Sequence, residues 1–210
     1  DKKLTSEQMT ALKNIEIAQH QGKQKFLLYG VTGSGKTQIY IEKALKARAL
    51  GKQILILVPE IVLTGQLVTS FKEYFADDVA VIHSRLSIGE RNDTFWRIRT
   101  KQVSIIIGAR SALFAPFEDL GLIVMDEEHD PSYKQDESPR YHSHDIIEKM
   151  AEIYHATLIM GSATPSLESY YKAQIGEYVL LKMPNRIDNL PLPYIEGVDM
   201  REELRMGNRK

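Results

Sequence analysis

Residues 30–37 read GVTGSGKT, and they join the apolar run KFLLY (25–29) to a helix-like segment that runs from Thr37 to Leu50 and stops at Gly51. Strand, glycine-rich turn and helix in that order match the phosphate-loop pattern G-x-x-x-x-G-K-[ST]. Gly33 and Gly35 let the backbone curl so that several N–H groups point at one anion, and the helix that follows adds the positive end of its dipole. Lys36 reaches the β and γ phosphates, and the Thr37 hydroxyl is placed to ligate Mg²⁺. The phosphate cradle takes in Gly30, Thr32, Gly33, Ser34, Gly35, Lys36 and Thr37. The competing reading is a glycine-rich turn with a solvated lysine. From average residue usage, a chance match in a chain this long is below about one in a hundred.

The rest of the chain repeats the alternation of short apolar runs and helix-like segments. Runs at 53–58, 79–83, 103–108, 122–126 and 157–162 join 25–29 as predicted strands. Their near-continuous apolar character predicts burial on both faces, as in a parallel sheet covered by helices. Thr5-x-x-Gln8 and Ser87-x-x-Glu90 read as capping boxes that open two helices. Thr164 followed by Pro165 reads as an N-cap with proline at the first helical position. The expected fold is a P-loop NTPase (RecA-like) α/β domain over residues 1–185, followed by a proline-rich connector over 186–210.

Composition closes several other routes. Of the 210 residues 43% are hydrophobic, enough for a sizeable core, and cysteine is absent, so thiolate metal sites and disulfides are excluded within this chain. A net charge of −1 gives the whole domain no basic footprint, so any nucleic-acid contact must be local. No apolar run is long enough to span a membrane and no secretory signal opens the chain, which predicts a soluble protein without membrane contact, and the absence of cysteine fits a cytoplasmic setting.

Residues 126–129 read DEEH, directly after LIVM. In a phosphate-loop chain, a carboxylate at the end of a second buried strand holds Mg²⁺, usually through water, and Asp126 fits that role. Glu127 is placed to orient the attacking water and act as general base. Read in isolation, three such residues would be a solvated acidic turn. His129 lacks partners spaced for zinc and is expected to link the hydrolysis site to a neighbouring strand end. That neighbour is GSAT (161–164), where Ser162 and Thr164 supply hydroxyls for coupling.

In this order, GxxxxGKT, DExH and SAT resemble a superfamily 2 helicase with a DEAH-like box. VPEIVLTGQ (58–66), HSRLSIGER (83–91), GARSALFAPF (108–117), DEEHDPSYKQ (126–135), RYHSHD (140–145) and GSATPSLES (161–169) further resemble the bacterial replication-restart helicases, the primosomal protein N′ family. The resemblance implies a 3′→5′ ATP-dependent DNA helicase that acts at stalled forks and D-loops, with ATP and Mg²⁺ as cofactors. It also implies primosome components and single-strand-binding proteins as partners. Gln8 would read adenine, and Thr64, Arg110 and Ser111 would touch the DNA backbone. Tyr133, Lys134, Arg140 and Tyr141 would lie in an aromatic-rich loop for single strands, aromatics interleaved with cations being suited to stacked bases. Two positions depart from the family pattern: Gly65 replaces the proline of LTPQ, and Ala109 replaces the threonine of GTRS.

A helicase of this kind needs a second lobe, and the family's zinc-binding cysteines belong to that missing half. The chain is therefore expected to be a first motor lobe that binds nucleotide weakly, hydrolyses little and unwinds nothing. The alternatives are a superfamily 2 translocase without strand separation, a small-molecule kinase or GTPase, and a non-catalytic nucleotide-dependent binding module.

Overall fold

The computed structural model describes residues 3–63, 65–135 and 141–187. Seven parallel strands form one sheet: β1 (Lys25–Gly30), β2 (Gln53–Leu57), β3 (Val79–Ile82), β4 (Ile105–Gly108), β5 (Leu120–Met125), β8 (Thr157–Ser162) and β9 (Val179–Met183). A two-residue antiparallel pair, β6 (Lys134–Gln135) with β7 (Tyr141–His142), stands apart from it. The sheet order is β3-β4-β2-β5-β8-β1-β9. All seven strands run the same way, so their C-terminal ends share one rim, the usual place for ligands in open α/β sheets.

Among the described residues six α-helices cover the sheet: α1 (Ser6–His20), α2 (Lys36–Ala49), α3 (Gln66–Phe75), α4 (Ile88–Arg99), α5 (Ser143–Tyr154) and α6 (Leu167–Gln174). Alternate residues of each central strand serve two cores. Ile54, Ile56, Leu122 and Val124 meet Ile15 of α1, Ile39 of α2 and Phe71 of α3. Leu55, Leu57, Ile123 and Met125 meet Ile98 of α4 and Ile147 and Ala151 of α5. Cover on both faces buries β2, β4 and β8 along their whole length, so their apolar residues run on instead of alternating with exposed polar ones.

Both predicted capping boxes are present, Thr5 with Gln8 and Ser87 with Glu90. Two expectations are corrected. The N-cap of α6 is Ser166, whose hydroxyl accepts from Ser169 N, so Pro165 precedes the cap instead of following it. The sheet also has one strand more than predicted. β9 is an edge strand with the burial of a half-covered surface and a lysine at 182, so it lacks the continuous apolar run of the others.

Candidate active site

The phosphate loop leaves the end of β1 and enters α2 at Gly35, which takes a left-handed conformation with φ 86°. Gly33 does the same at φ 81°. Both turns fall where glycine is free of the Cβ penalty. Lys36 is buried and its Nζ donates to Gly30 O at 2.7 Å, which holds the ammonium inside the loop.

The sheet order puts β8 between β1 and β5, so the phosphate loop and the DEEH residues are not on adjacent strands. Tyr40 of α2 crosses the gap and donates to Asp126 Oδ1 at 2.8 Å. The end of β8 makes room for it: a Cβ on Gly161 would lie 1.7 Å from the Tyr40 hydroxyl. Asp126 follows the last residue of β5, with its N–H donating to Leu57 O at 2.9 Å and its carbonyl accepting from Tyr133 Oη at 2.6 Å. Burial pushes the Asp126 carboxyl above the usual aspartate range; the Tyr40 hydrogen bond opposes the rise, the Glu127 charge adds to it, and the Lys36 ammonium again opposes it. Lys36, Thr37, Asp126 and Glu127 line one cleft of about 620 Å³, together with Thr5, Gln8 and Gly35.

The two glutamates have opposite surroundings. Glu127 sits at φ 48°, an uncommon conformation for a residue with a side chain, and its carboxylate is about one-third exposed at the cleft. Glu128 is 1% exposed. Its carboxylate accepts from Ser166 N (2.7 Å), His144 Nε2 (2.9 Å), Ser169 Oγ (2.9 Å) and Ser166 Oγ (3.0 Å). Burial alone would raise the Glu128 carboxyl, but the donors from His144, Ser166 and Ser169 outweigh it and hold the group below the usual range. His129 Nδ1 lies 2.7 Å from Ser162 Oγ, which also accepts from Thr164 N at 2.9 Å. The His129 link to the neighbouring strand end thus runs to Ser162, whereas Thr164 joins through its backbone and keeps its side chain exposed.

Gln8 makes two bonds: Oε1 accepts from Thr5 N at 2.8 Å, and Nε2 donates to Gly35 O at 3.1 Å. Gln8 is itself buried, at the wall of the cleft. Residues 186 and 187 return to the loop instead of leaving it, since Ile187 N donates to Gly33 O at 3.1 Å.

A second cleft, of about 490 Å³, holds Arg110, Ser111, Tyr141 and the 59%-exposed Phe114. Arg110 donates to Ser132 O at 3.3 Å and to Lys134 O, and its guanidinium lies 5.8 Å from the Tyr141 ring centre. Phe114 meets Tyr141 edge to face at 5.6 Å. Lys134 is exposed beside this group. Tyr133 is not part of it. At 1% exposure its ring is core and offers no face to a base, which corrects the expectation of stacking there. Thr64 and Arg140 lie outside the described residues, as do residues 188–210 of the expected connector.

Sequence reasoning missed Tyr40, Glu128 and Phe114. Tyr40 carries no local signal, because its partner is 86 residues away. Glu128 sat unnoticed beside Glu127, and the hydroxyls of Ser166 and Ser169 at the start of a helix were its only trace. Phe114 was legible as an aromatic three residues past Ser111.

The residues around the loop suit a magnesium–nucleotide. Ser34 Oγ, inside the loop, is buried without a hydrogen-bond partner, and Lys36 has only a carbonyl for company. Asp126 and the Thr37 hydroxyl are the oxygen donors such an ion takes. Among the described residues no three His, Cys, Asp or Glu side chains form a metal site by themselves. An ion here would therefore need phosphate and water oxygens to complete its shell.

This is the geometry of a P-loop NTPase motor domain, and residues 5–173 match the DEAD/DEAH box helicase family, to which the chain belongs. Replication restart protein PriA of Bacillus subtilis (strain 168) is 51% identical over 207 residues, covering 98% of this chain and 26% of that protein. The PriA of Synechocystis is 45% identical over 90% of this chain and 23% of its own length. The chain thus spans about a quarter of the length of these relatives. Among solved structures, RecG bound to a three-way DNA junction superposes with a TM-score of 0.66 at 22% identity, over 99% of this chain and 27% of that one, a likeness of fold. Among the described residues no helix is long and apolar enough to cross a membrane.

Proposed function

We propose that this chain is the ATP-binding first lobe of a 3′→5′ DNA helicase of replication restart, with residues 1–185 as the motor lobe and later residues leading toward a second lobe. The observation that carries the reading is the shared cleft, in which Lys36 and Thr37 of the loop face Asp126 and Glu127. The 51% identity to a replication restart protein supports the choice among helicases.

In this reading, the N–H groups around Gly33 and Gly35 and the Lys36 ammonium hold the β and γ phosphates. The Thr37 hydroxyl and the Asp126 carboxylate would hold the metal, and Tyr40 fixes the Asp126 carboxylate. Bound Mg²⁺ neutralises charge on the phosphate oxygens. Glu127 orients the attacking water and takes its proton. His129 and Ser162 tie that carboxylate's loop to the end of β8, beside the chain that enters α6. Arg110, Ser111, Lys134, Tyr141 and Phe114 form the single-strand contact, with phosphate-directed cations beside stackable rings. Primosome components and single-strand-binding proteins are the partners in the bacterial cytoplasm, and zinc belongs to the second half.

The test is made in the full-length protein. ATP hydrolysis should rise with single-stranded DNA, and strand displacement should need a 3′ tail. Glu127→Gln should abolish both while leaving nucleotide binding intact. Unchanged turnover in Glu127→Gln would refute the assignment of the general base, and translocation without displacement would favour a motor that does not separate strands. The 210-residue chain by itself should hydrolyse ATP slowly and displace nothing.

A further inference from the structure

Glu127 holds a backbone conformation that a residue with a side chain does not favour. At φ 48° it lies in the left-handed region, and such a residue persists only where its surroundings over-determine it. Its own side chain does not supply that constraint. His129 Nδ1 stands 3.7 Å from the Glu127 carboxylate, beyond hydrogen-bond length, and is engaged with Ser162 Oγ at 2.7 Å. The place of the carboxylate is therefore set by the two rigid peptide planes on either side of its Cα. The plane before it is pinned at Asp126 O, which accepts from Tyr133 Oη at 2.6 Å. The plane after it is pinned at Glu128 N, which donates to Gly161 O at 3.1 Å.

The second pin has an anchor, the Glu128 side chain. Its Oε1 accepts from Ser166 N at 2.7 Å. Its Oε2 accepts from Ser166 Oγ, Ser169 Oγ and His144 Nε2 at 2.9–3.0 Å. The serines open α6 and the histidine lies in the first turn of α5, so one carboxylate ties the DEEH turn to two helices. The Ser166 hydroxyl is itself held, since it accepts from Ser169 N at 3.2 Å. With its N–H on the end of β8 and its carboxylate between α5 and α6, residue 128 cannot rotate, and the peptide it shares with Glu127 cannot either. Glu127 lines the cleft of Lys36 and Asp126, whereas Glu128 is buried behind it with its oxygens turned to the helices.

We infer that Glu128 is a positioning residue for ATP hydrolysis: its reach to α5 and α6 locks the turn that aims the Glu127 carboxylate at the attacking water. This rests on the reading of Glu127 as the general base. Glu128 takes no part in the proton transfer, so the length of its side chain matters and its charge does not.

The test is steady-state ATP hydrolysis by the full-length protein with saturating single-stranded DNA, well below the melting temperature of every variant. Glu128→Asp keeps the charge and shortens the reach by one methylene. It should lower kcat roughly a hundredfold, the scale of a misplacement of about 1 Å at a reacting centre, and leave KM for ATP within about twofold. Glu128→Gln keeps the reach and loses the charge. Its amide oxygen takes Ser166 N and the serine hydroxyls turn to accept from its NH₂, so kcat should stay within about threefold of the parent. Ile15→Val, a core change in α1 that lowers stability away from the site, should leave kcat at the parent value. A larger loss in Glu128→Gln than in Glu128→Asp would overturn the inference, because charge would then count and not reach. So would a loss of kcat in Ile15→Val equal to that in Glu128→Asp, which would make turnover follow stability alone. Parent-like kcat in Glu128→Asp with an inactive Glu127→Gln would overturn it and leave the base assignment standing. If Glu127→Gln turned over like the parent, the base assignment would fail, and the inference with it.

Discussion

Glu127 and Glu128 are neighbours with opposite surroundings, so the same kind of substitution should have opposite consequences. Glu128→Ala removes the acceptor of four hydrogen bonds at 2.7–3.0 Å in a site that is 1% exposed. The two serine hydroxyls can turn to other acceptors, but the Ser166 N–H is fixed by the backbone and is left without one. A buried donor without a partner costs about 1–3 kcal/mol, and breaking a buried charged cluster costs about 3–5 kcal/mol. For a chain of this size each 1 kcal/mol moves the melting temperature by about 2–4 °C, so Glu128→Ala should melt about 10 °C below the parent. Glu128→Gln retains one carbonyl oxygen for Ser166 N and should cost about 1–2 kcal/mol. Glu127→Gln is exposed to the cleft and keeps the same backbone preference, so its stability should lie within about 0.5 kcal/mol of the parent. Thermal unfolding by far-UV circular dichroism at neutral pH measures all three. The reasoning fails if Glu128→Ala melts within 2 °C of the parent, or if Glu127→Gln is the more destabilised of the pair.

Gly161→Ala places a methyl group 1.7 Å from the Tyr40 hydroxyl, so it should destabilise the chain by about 1–3 kcal/mol and weaken magnesium–nucleotide binding. Adding Tyr40→Phe removes the clashing oxygen, and urea unfolding of the double variant should show a loss smaller than the sum of the two single ones. The Glu148 carboxyl is held below its usual range: burial would raise it, but hydrogen bonds from Lys172 and Tyr178 outweigh that effect. A depressed folded value means the stabilisation is complete above the unfolded value of about 4.3 and is lost as pH falls through the folded one. Stability should therefore drop on acidification below about pH 5, and Glu148→Gln should show a shallower drop. Phe114→Ala in the full-length protein should weaken single-strand binding by about 1–3 kcal/mol, the scale of one stacked base, measured by fluorescence anisotropy, with little change in melting temperature.

The sequence carried the fold where a local pattern carries it. Six strands showed themselves as apolar runs because both sheet faces are covered, and two capping boxes marked helix starts at Thr5 and Ser87. The phosphate loop and DEEH were legible because each is contiguous. What escaped depends on contacts between distant segments. β9 sits at the edge and has no continuous apolar run. Tyr133 lies among charged and polar residues that read as a surface loop, and only the fold shows it donating to the Asp126 carbonyl. Tyr40, Gly161 and Asp126 meet because β8 separates β1 from β5, a fact of strand order that no local stretch encodes. Residues 186 and 187 read as the beginning of a connector because their role is a backbone bond to Gly33.

The central claim is that Lys36 of the phosphate loop and Asp126 of the DEEH residues serve one metal–nucleotide. A crystal of the chain grown with a non-hydrolysable ATP analogue and Mn²⁺ tests it directly, because the anomalous signal of manganese locates the ion. The account predicts a single ion between the Thr37 hydroxyl and the Asp126 carboxylate, with Lys36 Nζ moved from Gly30 O onto the phosphates. An ion and triphosphate lying away from Asp126, with the Tyr40 to Asp126 bond and the Lys36 to Gly30 bond both unchanged, would contradict it.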